Sequence, residues 1–136
     1  TSCPTRFEKQ LPWLEKGEYD ACCCRSISIE KGRLIPRRFW LSLPRRFLLR
    51  YMNPHIHGSF MIRKSTLLAI GGYDESFTYA QDYKLLFEIY SRRIPVKYLL
   101  EPLYCTGNFE TSITMSRRRE QILAARRAKK LFRTIK

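Results

Sequence analysis

Apolar positions recur along this chain in two periods, and the switches between them lay out the elements. Phe7, Leu11 and Leu14 fall at helical spacing over residues 5–15, with Gly17 just beyond as a stop. Pro12 lies inside that stretch, where its ring and missing N–H favour a kink or an early end. Over residues 19–29 the period becomes two. Tyr19, Ala21, Cys23, Ile27 and Ile29 share one face, and Asp20, Ser26, Ser28 and Glu30 share the other. Arg25 interrupts the apolar side. This alternation predicts a strand with one face buried and one face wet. Lys31-Gly32 marks a turn, after which Leu34-Ile35 returns as a short paired strand.

Residues 36–50 hold a small repeat, Pro36-Arg37-Arg38-Phe39 and Pro44-Arg45-Arg46-Phe47, and each Pro opens a short helical turn. Residues 57–63 predict a strand that leads into a helical turn over 65–70, and Gly71-Gly72 permits a sharp reversal. A helix follows over 83–90 with Leu85, Leu86 and Ile89 inward, then a buried strand over 96–100. Residues 102–114 read as loop or irregular strand. Ser116 caps a last helix with Ile122, Ala125, Ala128, Leu131 or Phe132, and Ile135 on one side. Arg118, Arg119, Arg126, Arg127, Lys129, Lys130 and Arg133 crowd the other. Strands alternating with helices argue for an α/β architecture, divided into residues 1–115 and a basic amphipathic C-terminal helix over 116–136.

Charge changes this picture most. With 26 Lys and Arg against 12 Asp and Glu, the net charge of +14 directs the protein toward something anionic: phospholipid, nucleic acid or a phosphorylated substrate. Phe39, Trp40, Phe47 and Leu48 lie among the arginines of the repeat and suit shallow insertion into an anionic membrane surface. A nucleic-acid-binding module is the rival reading, since basic patches with interleaved aromatics follow a phosphate backbone. No helix-turn-helix, zinc-finger or RNA-binding signature accompanies it, which makes nucleic acid the weaker partner. The 136 residues fit one domain or part of one, and the aromatic content argues against disorder. Five cysteines, with the run Cys22-Cys23-Cys24 and no Cys-x-x-Cys, fit a reducing cytosol better than a disulfide scaffold or a zinc site. No apolar run is long enough to span a bilayer, and no signal peptide is present. These features place the protein in the cytoplasm, peripherally on the inner face of the cell membrane where the basic surface engages lipid. Thr1 does not read as a natural start.

Candidate chemistry centres on Asp82, just ahead of an apolar-periodic helix. A carboxylate there is stabilised by the helix dipole and by free backbone N–H groups. The same placement keeps a general base ionised and pointed into a cleft. His57-Gly58-Ser59 combines polar side chains with a glycine that permits close backbone approach. Asp74 and Glu75 read as a solvated turn.

Two segments carry a family likeness. They are Asn53-Pro54-His55-Ile56-His57-Gly58-Ser59-Phe60-Met61-Ile62-Arg63-Lys64 and Gly71-Gly72-Tyr73-Asp74-Glu75-Ser76-Phe77-Thr78-Tyr79-Ala80-Gln81-Asp82-Tyr83. With the Leu-rich helix behind them they resemble the acceptor-side half of a family 2 glycosyltransferase of the GT-A type. The likeness covers most of residues 1–121 and is strongest over 53–83. It implies a partial GT-A, Rossmann-like domain without its N-terminal nucleotide-binding half. It implies that Asp82 takes the proton from an acceptor hydroxyl as that oxygen attacks the anomeric carbon of a nucleotide-sugar, with inversion and no covalent intermediate. Gln81 would hold the base or the acceptor, and Asn53, His57, Gly58 and Ser59 would contact substrate. Lys84 stands where members often carry a second acid, which implies a field favouring an anionic acceptor.

Residues 103–114 resemble the family's downstream loop, in which relatives place a His on the metal or diphosphate; that position falls at Phe109, which cannot ligate a divalent ion, so either Asn108 or Glu110 compensates or metal binding leans on other groups. Residues 1–11 resemble the stretch that follows the family's Asp-x-Asp motif, so the Mg²⁺ or Mn²⁺ ligands are expected before Thr1 and none within this chain. The implied function is sugar transfer from a nucleotide-sugar to a glycan or lipid-linked acceptor in cell-envelope or surface-polysaccharide synthesis. The chain alone is expected to be inactive, with a bare sheet edge where the other half would pair. A non-catalytic remnant that keeps this half as a scaffold is the alternative.

Overall fold

The strand read from residues 19–29 is the axis of the molecule. The structure, a computed structural model, describes residues 1–107 and 118–134. Among these it is mixed α/β, with a four-stranded mixed sheet and six helices. The order is α1 (Arg6–Glu15), β1 (Ala21–Ser28), β2 (Arg33–Ile35), α2 (Arg38–Leu41), α3 (Arg45–Leu48), a 3₁₀ turn (His57–Ser59), β3 (Met61–Ile62), α4 (Lys64–Ala69), α5 (Gln81–Ser91), β4 (Val96–Thr106) and α6 (Arg118–Thr134). β2 and β3 run antiparallel to opposite ends of β1, and β4 runs parallel along its length.

β1 buries Ala21 and Cys23 as expected, but it buries the opposite face as well. Ala21, Cys22, Cys23 and Cys24 are all buried, and Ser26 and Ser28 are 0 % exposed while Ile29, just past the strand, is 65 % exposed. A strand covered on both sides has no wet face to give its polar residues. Ser28 is accommodated because its Oγ accepts the Lys31 N–H of the following turn at 3.3 Å. β4 is longer and less buried than the strand expected over 96–100, with only Leu103 buried. Its register against β1 slips around Arg25, which pairs with Pro102. A proline without an N–H is tolerated at such an irregularity.

The outer edge of β4 is not bare at this end. Cys3 N–H donates to Leu103 O at 3.0 Å and Cys105 N–H donates to Thr1 O at 2.7 Å, so the first residues of the chain cover it.

α1 runs through Pro12 to Glu15 and buries Arg6, Gln10 and Leu14. The expected stripe of Phe7, Leu11 and Leu14 is therefore corrected: Phe7 is 56 % and Leu11 46 % exposed. Polar demand sets the rotation. Gln10 Nε2 donates to Ser59 O at 2.9 Å and to Cys22 O at 3.2 Å, and its Oε1 accepts from Arg6 at 3.0 Å. These bonds satisfy groups that burial would otherwise leave unpaired.

Residues 57–63 form a 3₁₀ turn and a two-residue strand instead of one strand. The Pro-Arg-Arg-Phe repeat gives two short helices, as its prolines predict. Gly71 and Gly72 take φ of +87° and +68°, the reversal that brings α4 round to α5. α5 buries Tyr83, Leu85, Leu86, Phe87 and Ile89, which with Leu49, Ile70, Phe77 and Ala128 form the main core. α6 meets that core through Ala128, and Ile122 is exposed, so its apolar side is narrower than expected. Ser116, Ile135 and the side chains of Leu131 and Phe132 lie outside the described residues. No helix among the described residues is long and apolar enough to cross a membrane.

Candidate active site: a carboxylate cleft at the start of α5

Asn53 organises the site from one carboxamide. Its Oδ1 accepts the His55 N–H at 3.0 Å, closing a local turn, and its Nδ2 donates to Asp82 Oδ2 at 2.9 Å. Asp82 sits in the first turn of α5, where unpaired N–H groups and the helix dipole favour a negative charge. Ala80, the residue that opens the helix, has φ +59° and ψ +28°. A left-handed backbone at a residue other than glycine costs about 1–2 kcal/mol, and such strain gathers at functional sites.

Asp82 and Asn53 line a cleft of about 330 Å³ with Tyr83, Gln121 and Lys129 among the other walls. Lys129 donates to Tyr51 O at 2.9 Å, with its ammonium 5.6 Å from the centre of the Tyr83 ring. The cleft thus offers one carboxylate and one ammonium. The phenols of Tyr83 and Tyr73 are both pushed up, first by desolvation and then by the Asp82 charge. Tyr73 also pairs with His57 Nε2 at 3.4 Å and meets its ring edge-on at 5.9 Å. His57 is exposed and does not line the Asp82 cleft.

The other expected site residues have different places. Gly58 is exposed, and a Cβ added to it would lie closer than 3.0 Å to the Tyr104 hydroxyl and ring, a separation that real Cβ atoms essentially never show. A side chain here would have to displace the Tyr104 ring. Ser59 is fully buried, and its hydroxyl donates to Ile56 O at 2.7 Å. The expected substrate contact through this hydroxyl is corrected, because the fold uses it. Gln81 is half-buried and does not line the cleft. Lys84 pairs with Glu88 one turn on, which also meets Arg92 Nε at 3.5 Å, so its charge is engaged within α5 rather than turned to an acceptor. Asn108, Phe109 and Glu110 lie outside the described residues. Among the described residues no group of three or more His, Cys, Asp or Glu could hold a metal ion, and the residues present do not fit a divalent-metal site.

Tyr73, Gln121 and Lys129 escape sequence reasoning. For α6 a signal exists: Gln121, Ala125 and Lys129 stand four apart, one ridge of a helix, and all three line the cleft.

Behind Asn53 lies a second polar group. His55 is buried, with Nδ1 3.1 Å from Cys23 Sγ and Nε2 2.5 Å from Tyr90 Oη, and it stacks on the Tyr90 ring. Burial, with a smaller push from the Arg45 charge, lowers its pKa to about 3, and burial raises the Cys23 thiol well above its usual range. Both are neutral, so this is a packed thiol–imidazole contact and not an activated nucleophile.

Fold and cleft together define an α/β protein that presents one oriented carboxylate at a helix start, beside an ammonium. No protein-family model matches the chain, and no match is found among curated proteins or solved structures.

Proposed function

We propose that this chain is the acceptor-side half of a GT-A-type, Rossmann-like family 2 glycosyltransferase, with Asp82 as its base. The observation that carries the reading is the Asp82 carboxylate, fixed at 2.9 Å by Asn53 and lining an open cleft at the N-terminal end of a helix. In the reaction, the acceptor oxygen forms a bond to the anomeric carbon while the bond from that carbon to the donor diphosphate breaks. The electron pair leaves with the diphosphate, and the acceptor proton passes to Asp82. A single displacement inverts the anomeric centre. Asn53 orients the carboxylate, Lys129 lines the cleft that the acceptor would enter, and His57 is assigned to substrate by the family likeness alone.

The family itself is drawn from the likeness of residues 53–64 and 71–83. No step runs through a metal, because the described residues do not fit one; the reading assigns Mg²⁺ or Mn²⁺ and the donor nucleotide to a half preceding Thr1. It takes a nucleotide-sugar as donor and a glycan or lipid-linked molecule of the cell envelope as acceptor. It sets the protein in the cytoplasm, which the five free cysteines support. Arg37, Arg38 and the 70 % exposed Phe39 support peripheral contact with the membrane.

The test is Asp82→Asn in the full-length protein. Sugar transfer is expected to fall by roughly 10²- to 10⁴-fold, the usual worth of a positioned base, with an unchanged circular-dichroism spectrum. Near-normal turnover in a folded variant overturns the assignment.

A further inference from the structure

Met52 and Asn53 also line a second cavity of about 260 Å³, distinct from the Asp82 cleft. Its walls are apolar: Pro36, Trp40, Leu48 and Pro54, with Leu48 and Pro54 buried and hence backed by the fold. The only charged side chains lining it are Arg33 and Arg37, both exposed, and neither pairs with a carboxylate among the described residues. His55, on the inner wall, is occupied by Cys23 and Tyr90 and adds no charge.

An apolar cavity carrying two uncompensated guanidinium groups is complementary to a molecule with an apolar body and an anionic head. A neutral hydrocarbon leaves the arginines without a partner, and inorganic phosphate leaves the apolar walls unfilled. A cavity of about 260 Å³ suits one short alkyl chain. Guanidinium binds carboxylate and phosphate in paired hydrogen bonds, which gives the head a defined seat.

We infer that this cavity binds a single-chain amphiphile, its alkyl chain against Trp40 and Leu48 and its carboxylate or phosphate on Arg33 and Arg37. The ligand reaches the cavity either as a monomer from water or from a bilayer surface. The site is read without a sugar donor, so its failure leaves the transferase reading standing, and the reverse holds as well.

Trp40 is a built-in reporter once Trp13, which lies under Lys97 on another part of the fold, is replaced by Trp13→Phe. Fluorescence of that variant is followed while decyl phosphate, decanol and inorganic phosphate are added below the aggregation limit of each. Decyl phosphate is expected to saturate at one per chain, decanol to bind at least tenfold more weakly, and phosphate alone to give no saturation. The Arg33→Gln/Arg37→Gln double variant, altered only at exposed positions, is expected to bind decyl phosphate no better than decanol and to leave decanol binding unchanged. Equal binding of decyl phosphate and decanol, or wild-type affinity in the double variant, overturns the site. Attachment to anionic vesicles without saturation by soluble decyl phosphate also overturns it, and identifies surface attraction alone.

Discussion

Acidifying the protein from about pH 7.5 to about pH 5 is expected to remove about 2 kcal/mol of folding free energy through one side chain, His55. The imidazole is 5 % exposed and held between Cys23 Sγ at 3.1 Å and Tyr90 Oη at 2.5 Å. Burial first, and the Arg45 charge second, lower its pKa from 6.5 to about 3. The unfolded chain therefore takes up this proton once the pH drops below 6.5, and the folded protein resists it until about 3. Between those values the unfolded state holds more protons. The stability from neutral His55 is thus complete above the unfolded pKa and is lost as pH falls toward the folded one. The slope is about 1.4 kcal/mol per pH unit, so the stretch from about 6.5 down to about 5 accounts for about 2 kcal/mol.

Urea unfolding at the two pH values measures this loss directly, and His55→Gln is the control. That variant is expected to be less stable at both values, because it loses the ring stacking, but to lose the pH slope. The window stays above the range where carboxylates titrate. Asp74 does not intrude, because hydrogen bonds from Ser76 hold its carboxyl below the usual range. A wild-type midpoint unchanged between the two pH values, or a full slope surviving in His55→Gln, refutes the argument.

Three further outcomes follow from local geometry. Gly58→Ala is expected to cost about 1–3 kcal/mol by driving a methyl into the Tyr104 ring; Tyr104→Leu in the same chain restores most of it, and additive losses in that double-mutant cycle would show the contact is not the cause. Arg93→Gly is expected to raise stability by about 0.5–1 kcal/mol, because Arg93 has φ +56° where the Ile94 N–H to Ile89 O and Arg93 N–H to Tyr90 O bonds close α5, and an unchanged melting temperature counts against it. Iodoacetamide near pH 8 is expected to label half-exposed Cys3 and Cys105 and to spare Cys22, Cys23 and Cys24, whose thiols burial pushes up (Cys22 to about 11); early labelling of the triple run by mass spectrometry contradicts this.

Periodicity served the sequence reading well where burial is one-sided and poorly where it is not. α5 was legible because Leu85, Leu86 and Ile89 repeat against a single core, and the Gly71-Gly72 reversal because only glycine takes those angles freely. β1 misled, since alternation assumes one wet face and β1 is buried on both faces, Ser26 and Ser28 included. α1 misled because buried hydrogen bonds from Gln10, and not hydrophobicity, set its rotation. Among candidate site residues, Asp82 and Asn53 come together, and their tertiary bond links residues 29 apart that no local pattern connects. Ser59 could not be told from a ligand contact in sequence, because a hydroxyl facing Ile56 O and one facing a cleft leave the same letter.

The dependence of the site on the core runs through Asn53. One side of its carboxamide is tied to the backbone of His55, whose ring is sealed among Cys23, Tyr90, Phe60 and Tyr98. The other side holds Asp82, and the residue also forms part of the wall of the apolar cavity. Asp82 is therefore oriented by a group whose own position is set by buried aromatic packing, not by the mobile end of a long side chain. Proton uptake by His55 would loosen that packing and release the Asn53 carboxamide with it.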